Sequence, residues 1–466
     1  MSSPFDADDF RRRIARRSFL KSTGLGIGAF ALQRLMGNAL PHFNGRIRRV
    51  IHLCMAGGPS QFESFDWKPE LKKLHGKPFP ASFTKGQQLA QLQNMTLTAR
   101  GPFTTFKRHG RSGQEISNLF PNIAGIADDI CIIRSMVTEQ INHDPAQAFM
   151  NSGSILKGRP SMGSWLLYGL GSVSENLPGF IVLMSQAKGY NGAQPVSARQ
   201  WGAGFLPSKY QGILFQSRGD AVHYVGNPEG VCQSTQRLVV DEVNRLNGIA
   251  AEEHGDAEAQ TRIAQYEMAF RMQSSVPDLS DFKDESKQAL EAYGVKEPGD
   301  GSFASNCLLA RRLAERGVRF IQLYHRAWDH HSSIEESMPK AARDTDQPCA
   351  ALVKDLKQRG MLDDTLIIWG GEFGRTPMGQ GSGRDHHINS FSLWLAGGGV
   401  RPGFTHGATD ELGYRSVVDV VTMHDLHATL LHLCGIDHAK FSVKFQGLDA
   451  KLTGVDPCRI VREILA

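Results

Sequence analysis

Histidine and carboxylate residues recur in four short segments of this sequence, each close to a run of apolar residues. The segments are NHD (142–144), HRAWDHH (325–331), GEFGRT (371–376) and GRDHH (383–387). Mixed Asp, Glu and His side chains are ligands that Zn²⁺, Mn²⁺ and similar cations use in proteins. Two such ions can lower the pKa of a bound water and neutralise charge that builds on a phosphoryl or sulfuryl group. The residue types therefore predict a divalent-metal site, with zinc or manganese favoured and calcium or magnesium as further candidates.

Six apolar runs must position these segments. Runs of this length are typical of strands buried on both faces of a parallel sheet. They span 49–55, 129–136, 180–185, 318–324, 365–370 and 391–396, and helical patterns span 303–316, 341–359 and 424–433. The alternation predicts an α/β fold, a three-layer α/β/α sandwich with a mostly parallel sheet. Because ligands of open sheets bind beyond the carboxyl ends of the strands, we expect the polar segments to meet at one edge.

Each polar segment taken alone also has an ordinary structural explanation. A lone histidine is more often a hydrogen-bonded polar residue, and Asp329 could cap the helix that follows it. Glu372 could pair with Arg375 in a tight loop. Three loops of suitable chemistry at predicted strand ends are more specific than any one of them, so their combination favours a metal site.

The region from about 235 to 300 interrupts the alternation. Residues 235–272 are polar and helix-rich, 274–301 is loop-like, and neither stretch has a strand pattern. We interpret about 235–300 as a helical insertion in an α/β domain that spans 40–466.

The charge distribution excludes a nucleic-acid-binding role. The formal net charge is +5, but residues 1–39 hold seven positive and three negative side chains, which leaves +1 for the rest. A body so close to neutral lacks the basic surface that nucleic acid requires.

The N-terminus resembles a twin-arginine export signal. Arg16 and Arg17 precede a short Gly-rich apolar stretch and small residues at 37–39. The apolar stretch is shorter than the ~20 residues of a membrane-spanning helix, so no stable membrane span is expected. The alternative is an amphipathic helix on a cytosolic protein. We predict that residues 1–39 direct export by the twin-arginine machinery to the periplasm or the extracellular space.

Four motifs carry a resemblance to a known family. They are AGGPSQFESFDWKP (56–69), WDHH (328–331), GGEFGRTP (370–377) and GRDHHINSFSLWLAGGGV (383–400). Together they resemble the family called domain of unknown function 1501, a sulfatase-like branch of the alkaline phosphatase superfamily, from about residue 46 to 435. The resemblance implies an alkaline phosphatase-like fold and metal-dependent hydrolysis of phosphate or sulfate esters.

The resemblance also implies roles for individual residues at the matching positions. Arginine suits a tetrahedral anion because its guanidinium matches phosphate or sulfate bidentately. The residues expected to hold the anion are Arg375 and Arg384. The expected metal ligands are Asp329, His331, Glu372 and His386. Asp385 and His387 are second choices, either as ligands or as residues that hydrogen-bond to the ligands.

The nucleophile is less well defined by the sequence. Ser60 lies in a Gly-rich turn and is the first candidate, with Ser152 and Ser154 as rivals, although a serine in such a turn is often only a turn residue. His143 and Glu63 are further candidates for the site.

The motifs depart from the superfamily pattern at the first strand and after Glu372. The first strand ends in Ala56-Gly57 instead of an Asp followed by Gly, and Phe373 takes the place of a His. The sequence also lacks the Cys-x-Pro-x-Arg segment of formylglycine-forming sulfatases. Two functions therefore stand side by side. One is an exported metal-dependent hydrolase of small-molecule or polysaccharide esters of phosphate or sulfate. The other is a catalytically silent metal-binding relative with a structural or glycan-binding envelope role.

Overall fold

The computed structural model describes residues 41–466 except 88, 187–192, 219–220, 223–225, 228–229 and 255–256. The predicted export signal lies outside the described residues. The strands are β1 Arg49–Met55, β2 Phe106–His109, β3 Gln114–Ser117, β4 Ile130–Val137, β5 Phe180–Met184, β6 Ile213–Phe215, β7 Phe320–His325, β8 Thr365–Gly370, β9 Gly374–Gln380, β10 Gly383–His387, β11 Phe391–Gly397, β12 Phe404–His406, β13 Ala408–Thr409, β14 Ser416–Val418, β15 Val421–Thr422, β16 Val443–Phe445 and β17 Leu448–Ala450.

The helices divide between the two faces of the central sheet and the region before α9. They are α1 Pro69–Lys73, α2 Ala81–Thr84, α3 Pro121–Ala124, α4 His143–Ser152, α5 Met162–Leu170, α6 Gln233–His254, α7 Ala257–Ser280, α8 Lys287–Tyr293, α9 Phe303–Glu315, α10 Ile334–Gln358 and α11 Met423–Leu433. No helix in the described part of the chain is long and apolar enough to cross a membrane.

The central sheet has the strand order β12-β4-β11-β8-β1-β7-β5-β6, with β15 paired to β4. All six predicted strands belong to it. β11 runs antiparallel to both of its neighbours, and the other pairings are parallel. Because β7, β1 and β8 are parallel neighbours, their carboxyl ends lie side by side and the loops that follow them meet.

The sheet is buried on both faces, as its apolar runs predict. Along β1, Ile51, Leu53 and Met55 belong to one hydrophobic core, and Val50 and Cys54 belong to the other. Helices α9 and α10 contribute to the first core, whereas α4, α5 and α11 contribute to the second. This arrangement confirms the predicted three-layer α/β/α sandwich with a mostly parallel sheet.

The region predicted as an insertion contains the long helices α6 and α7. The prediction of a loop from residue 274 is wrong in its first part, because α7 continues to Ser280. Val276 and Leu279 are buried in the first core. The Arg312 side chain donates to the carbonyl oxygens of Asp278 and Leu279 at 2.8 and 3.0 Å. These tertiary contacts thus stabilise the last turn of α7 although it contains Pro277. The division of the chain into an export signal and a domain with an insertion stays a prediction.

The segment between β8 and β11 is a two-stranded antiparallel hairpin, β9–β10, where the sequence suggested loops. Its register places His386 opposite Arg375, and a β-bulge separates Arg384 from His386. The hairpin stands at the carboxyl end of β8 and carries five of the residues that the sequence nominates for the site.

Candidate metal centre

Four side chains from three separate parts of the fold form one cluster at the carboxyl edge of the sheet. His143 is the first residue of α4, Asp329 and His331 lie in the loop after β7, and His386 lies in β10. One ligand atom from each lies within 4.8 Å of the others. This His₃Asp set could hold a metal ion.

The carboxylate of Asp329 is the centre of the cluster. Its Oδ1 lies 3.0 Å from His331 Nε2 and 3.4 Å from His386 Nε2, and its Oδ2 lies 3.2 Å from His143 Nε2. Gln194 Nε2 donates to the same Oδ2 at 2.7 Å. Every imidazole of the cluster therefore presents Nε2 to one carboxylate group.

The hydrogen bonds behind the histidines fix which ring nitrogens carry protons. His386 Nδ1 lies 2.7 Å from the carbonyl oxygen of Ile141, which can only accept, so Nδ1 carries hydrogen. His331 Nδ1 contacts Gln380 Oε1, and the Gln380 amide nitrogen donates to Gln91 at 2.6 Å. Neutral rings in these tautomers present lone pairs at both Nε2 atoms, which lie only 2.9 Å apart. A proton or a metal ion between the two nitrogens would remove the repulsion between these lone pairs.

Glu372, nominated as a metal ligand, lies behind His143. Its Oε1 is 2.7 Å from His143 Nδ1, and the carboxylate accepts the backbone N–H of Gly57 at 3.0 and 3.1 Å. A carboxylate that accepts from Nδ1 orients the imidazole and makes its Nε2 a better ligand. His143 Nε2 is buried without a well-aligned hydrogen bond, which leaves it available to a metal ion.

Gly57 permits this arrangement through its backbone. Its φ is +118°, and a Cβ atom there would lie 2.4 Å from the backbone nitrogen of Asp329. Only glycine accepts both the conformation and the close approach. Gly57 thus holds Glu372 and leaves room for the Asp329 loop.

The electrostatics of the cluster favour an ionised carboxylate. Burial opposes the charge of Asp329, but its close contacts with the three histidines and the charge of Arg375 hold its pKa far below the ordinary value. Burial also lowers the pKa of His386, with further lowering from Arg375. Burial lowers the pKa of His143 too, but Asp329 and Glu372 outweigh it and raise the pKa to about 9. The cluster thus attracts one positive charge at His143, which a bound cation would replace.

Arg375, nominated to hold an anion, supports the cluster from inside the protein. Its fully buried guanidinium lies 2.6 Å from Asp329 Oδ1 and donates to the carbonyl oxygens of Gly58 and Arg384 at 3.0 and 3.1 Å. The Gln61 side chain bonds both backbone groups of Arg375 at 2.9 Å. Arg375 therefore orients the Asp329 carboxylate.

Ser60, Glu63 and Arg384 form a separate buried group. Arg384 donates to both carboxylate oxygens of Glu63, at 2.6 and 3.1 Å, and both side chains are fully buried. The Ser60 hydroxyl donates to the same carboxylate, and Ser60 is only 1% exposed. None of the three side chains belongs to the four-residue metal cluster. Ser152, a rival nucleophile, donates to the carbonyl oxygens of Ala148 and Ser154.

Asp385 and His387 flank His386 but make other contacts. Asp385 accepts the backbone N–H groups of Gln91 and Leu92 at 2.6 and 3.0 Å. His387 Nε2 bonds the carbonyl oxygen of Tyr414 at 2.6 Å, and burial lowers its pKa to about 4. Asp385 lies behind the cluster, with Oδ1 4.0 Å from His331 Nδ1.

The comparison with protein families decides the affiliation of the chain. The profile of the family described as protein of unknown function (DUF1501) matches residues 47–465. The chain belongs to the DUF1501 family. All four cluster residues lie inside the matched region, so the site is part of the DUF1501 domain itself. No curated protein has a matching sequence.

Solved structures similar to this DUF1501 protein include the PsFucS1 sulfatase from Pseudoalteromonas sp., at 12% identity and TM-score 0.34, covering 89% of this chain and 72% of that one. The lipoteichoic acid synthase LtaP from Listeria monocytogenes has 10% identity and TM-score 0.37, with 89% and 76% covered. A protein in the alkaline phosphatase superfamily from Vibrio parahaemolyticus has 10% identity and TM-score 0.36, with 91% and 72% covered. Likenesses this weak do not assign an activity.

Two glutamines of the DUF1501 site escaped sequence reasoning. Gln194 donates to Asp329 Oδ2, and Gln380 fixes the tautomer of His331. Gln194 follows β5 at some distance and has no pattern around it that could have pointed to the site. Gln380 ends β9, and only recognition of the hairpin would have placed it beside the loop that carries His331.

Proposed function

We propose that this protein is an exported metal-dependent hydrolase of phosphate or sulfate esters. The observation that carries the proposal is the convergence of His331 Nε2, His386 Nε2 and Asp329 Oδ1, whose lone pairs meet within 3.4 Å. His143 adds a third imidazole. A set of imidazoles with one carboxylate suits zinc best, and manganese next.

The accessibility of the cluster supports a catalytic role over a sealed structural site. The side chains of His143, Asp329 and His331 keep 17%, 20% and 25% exposure. Solvent and a substrate oxygen can therefore reach the cluster. A cation bound there would lower the pKa of a water molecule and polarise the ester. Glu372, Gln380 and Ile141 hold the three rings in place, and Arg375 holds the carboxylate.

We assign the attack on the ester to water. Ser60 is buried and bonded to Glu63, so its hydroxyl would have to leave a charged partner before it could react. Water can reach the exposed side of the cluster directly. Hydrolysis in one step, without a covalent intermediate, follows from this assignment.

A second candidate function is a catalytically silent metal-binding protein. The position of both nominated arginines favours it, since Arg375 and Arg384 are fully buried and donate to internal partners. Neither guanidinium can bind a substrate oxyanion without breaking an ion pair, to Asp329 or to Glu63.

Metal content and ester hydrolysis, measured together, separate these functions. We expect about one zinc ion per purified chain and hydrolysis of an aryl phosphate or an aryl sulfate, because the four ligands form one site. His386→Ala should lose both metal and activity, whereas His109→Ala, on the surface strand β2, should keep both. Retained metal without turnover on either ester would favour the silent protein. Absence of bound metal from the wild type would refute both.

Export is tested by substitution within the predicted signal. Replacement of Arg16 and Arg17 by lysine keeps the charge but removes the paired guanidinium groups. We expect the exported fraction in a bacterial host with a twin-arginine translocase to fall about tenfold or more. The matched control replaces Arg12 and Arg13 by lysine and should be exported normally. Equal export of both variants would show that the N-terminus is not a twin-arginine signal.

A further inference from the structure

Arg326 is an arginine beside the metal cluster whose charge is not used inside the protein. It lies in the loop after β7, three residues before Asp329, and is half-buried. Among the described residues, neither an ion pair nor a hydrogen bond engages its guanidinium. Its Nε atom is buried without an acceptor. A buried donor without a partner is unfavourable, so an external acceptor would stabilise it.

The backbone of Arg326 is tied to the cluster through a single residue. The Gln194 backbone N–H donates to the Arg326 carbonyl oxygen at 2.8 Å, and the Gln194 side chain donates to Asp329 Oδ2 at 2.7 Å. One glutamine thus spans the gap between the Arg326 backbone and a metal-ligand candidate. Three residues of chain span at most ~11 Å, so the loop keeps Arg326 close to Asp329.

The charge of the site matches this role. With neutral histidines, a divalent cation with Asp329, Glu372 and Arg375 leaves a net charge of about +1. Arg326 would raise it to about +2, which complements a phosphate or sulfate ester. Arg199 is not available for this role, because it is paired with Asp144, which follows His143 in the sequence, at 2.8 Å.

We propose that Arg326 binds the tetrahedral oxyanion of the substrate beside the metal. The inference rests on the proposed hydrolytic function and gives it the anion-binding residue that Arg375 and Arg384 cannot supply. A planar guanidinium can donate to two oxygens of one phosphate or sulfate group. The ligand class is therefore a phosphate or sulfate ester, or the free anion, with at least two unesterified oxygens.

The test measures binding of inorganic phosphate and inorganic sulfate to the zinc-loaded full chain by calorimetry. We expect Arg326→Gln to weaken binding of the preferred anion about tenfold or more, with Arg326→Lys in between and zinc content unchanged. Arg159→Gln is the matched control, because Arg159 is half-buried against Phe205 and has no ion pair among the described residues. That control should bind like the wild type.

The outcomes distinguish this inference from the proposed function. Equal anion binding by the wild type and Arg326→Gln would overturn the role of Arg326 and leave hydrolysis intact. A zinc-loaded wild type that binds neither anion and cleaves neither ester would refute the proposed function and the inference with it. The preferred anion tells a phosphate-ester site from a sulfate-ester site.

Discussion

Replacement of Asp329 by asparagine is expected to abolish metal binding and to lower the free energy of unfolding by about 3–5 kcal/mol, even in the presence of a chelator. The first effect follows because Asp329 supplies the carboxylate toward which all three imidazoles point. The second follows because Arg375, fully buried, lies 2.6 Å from this carboxylate and would keep its charge without an anionic partner. Asparagine keeps the shape of the side chain but not its charge.

His386→Gln separates the two effects. It removes one imidazole but leaves the ion pair between Asp329 and Arg375 in place. We expect this variant to lose the metal as completely as Asp329→Asn, while its stability in chelator stays within about 1 kcal/mol of the metal-free wild type. Metal analysis and urea denaturation measure both quantities. If Asp329→Asn kept a full equivalent of metal, the cluster would not be a metal site centred on this residue.

The strands and their edge could be predicted because they depend on local patterns. Runs such as 49–55 and 365–370 are mostly apolar and do not alternate with polar residues, as expected for a sheet covered on both faces. Parallel order then brings the loops after β7 and β8 to one edge without further information. This is why Asp329, His331 and His386 could be nominated before their geometry was known.

The direction of individual side chains could not be predicted, because it depends on a β-bulge. Residues two apart in a regular strand share a face, so Arg384 and His386 would be expected to point the same way. The bulge between them breaks this rule: Arg384 turns to Glu63, and His386 turns to the metal cluster. A bulge depends on pairing with β9, which no local pattern of Gly383–His387 reveals.

The role of Glu372 was hidden for a different reason. Glu372 follows β8 at the edge of the sheet, but its distance from the cluster depends on Gly57, which is far away in the sequence. The Gly57 N–H holds the carboxylate, and His143 stands between it and the other ligands. Whether Glu372 binds a metal or orients a ligand is therefore a property of the packed loops.

The buried pair of Glu63 and Arg384 allows a second large effect to be predicted. Glu63→Gln should lower the free energy of unfolding by about 3–5 kcal/mol, because Arg384 would remain buried without a carboxylate partner. Its guanidinium would keep only neutral partners such as the carbonyl oxygens of Arg100 and Thr376, at 2.9 and 3.1 Å. Urea denaturation of the single variant gives this quantity directly.

Replacement of both partners by methionine tests whether the pair is structural or catalytic. The double variant removes both charges together and fills similar volume, so most of the lost stability should return. Because neither residue belongs to the metal cluster, we expect metal content and anion binding to match the wild type. A double variant that is stable and metal-loaded, yet has lost most of its anion binding, would instead make Arg384 an anion-binding residue. It would also return Ser60, which is bonded to the same carboxylate, to consideration as the nucleophile.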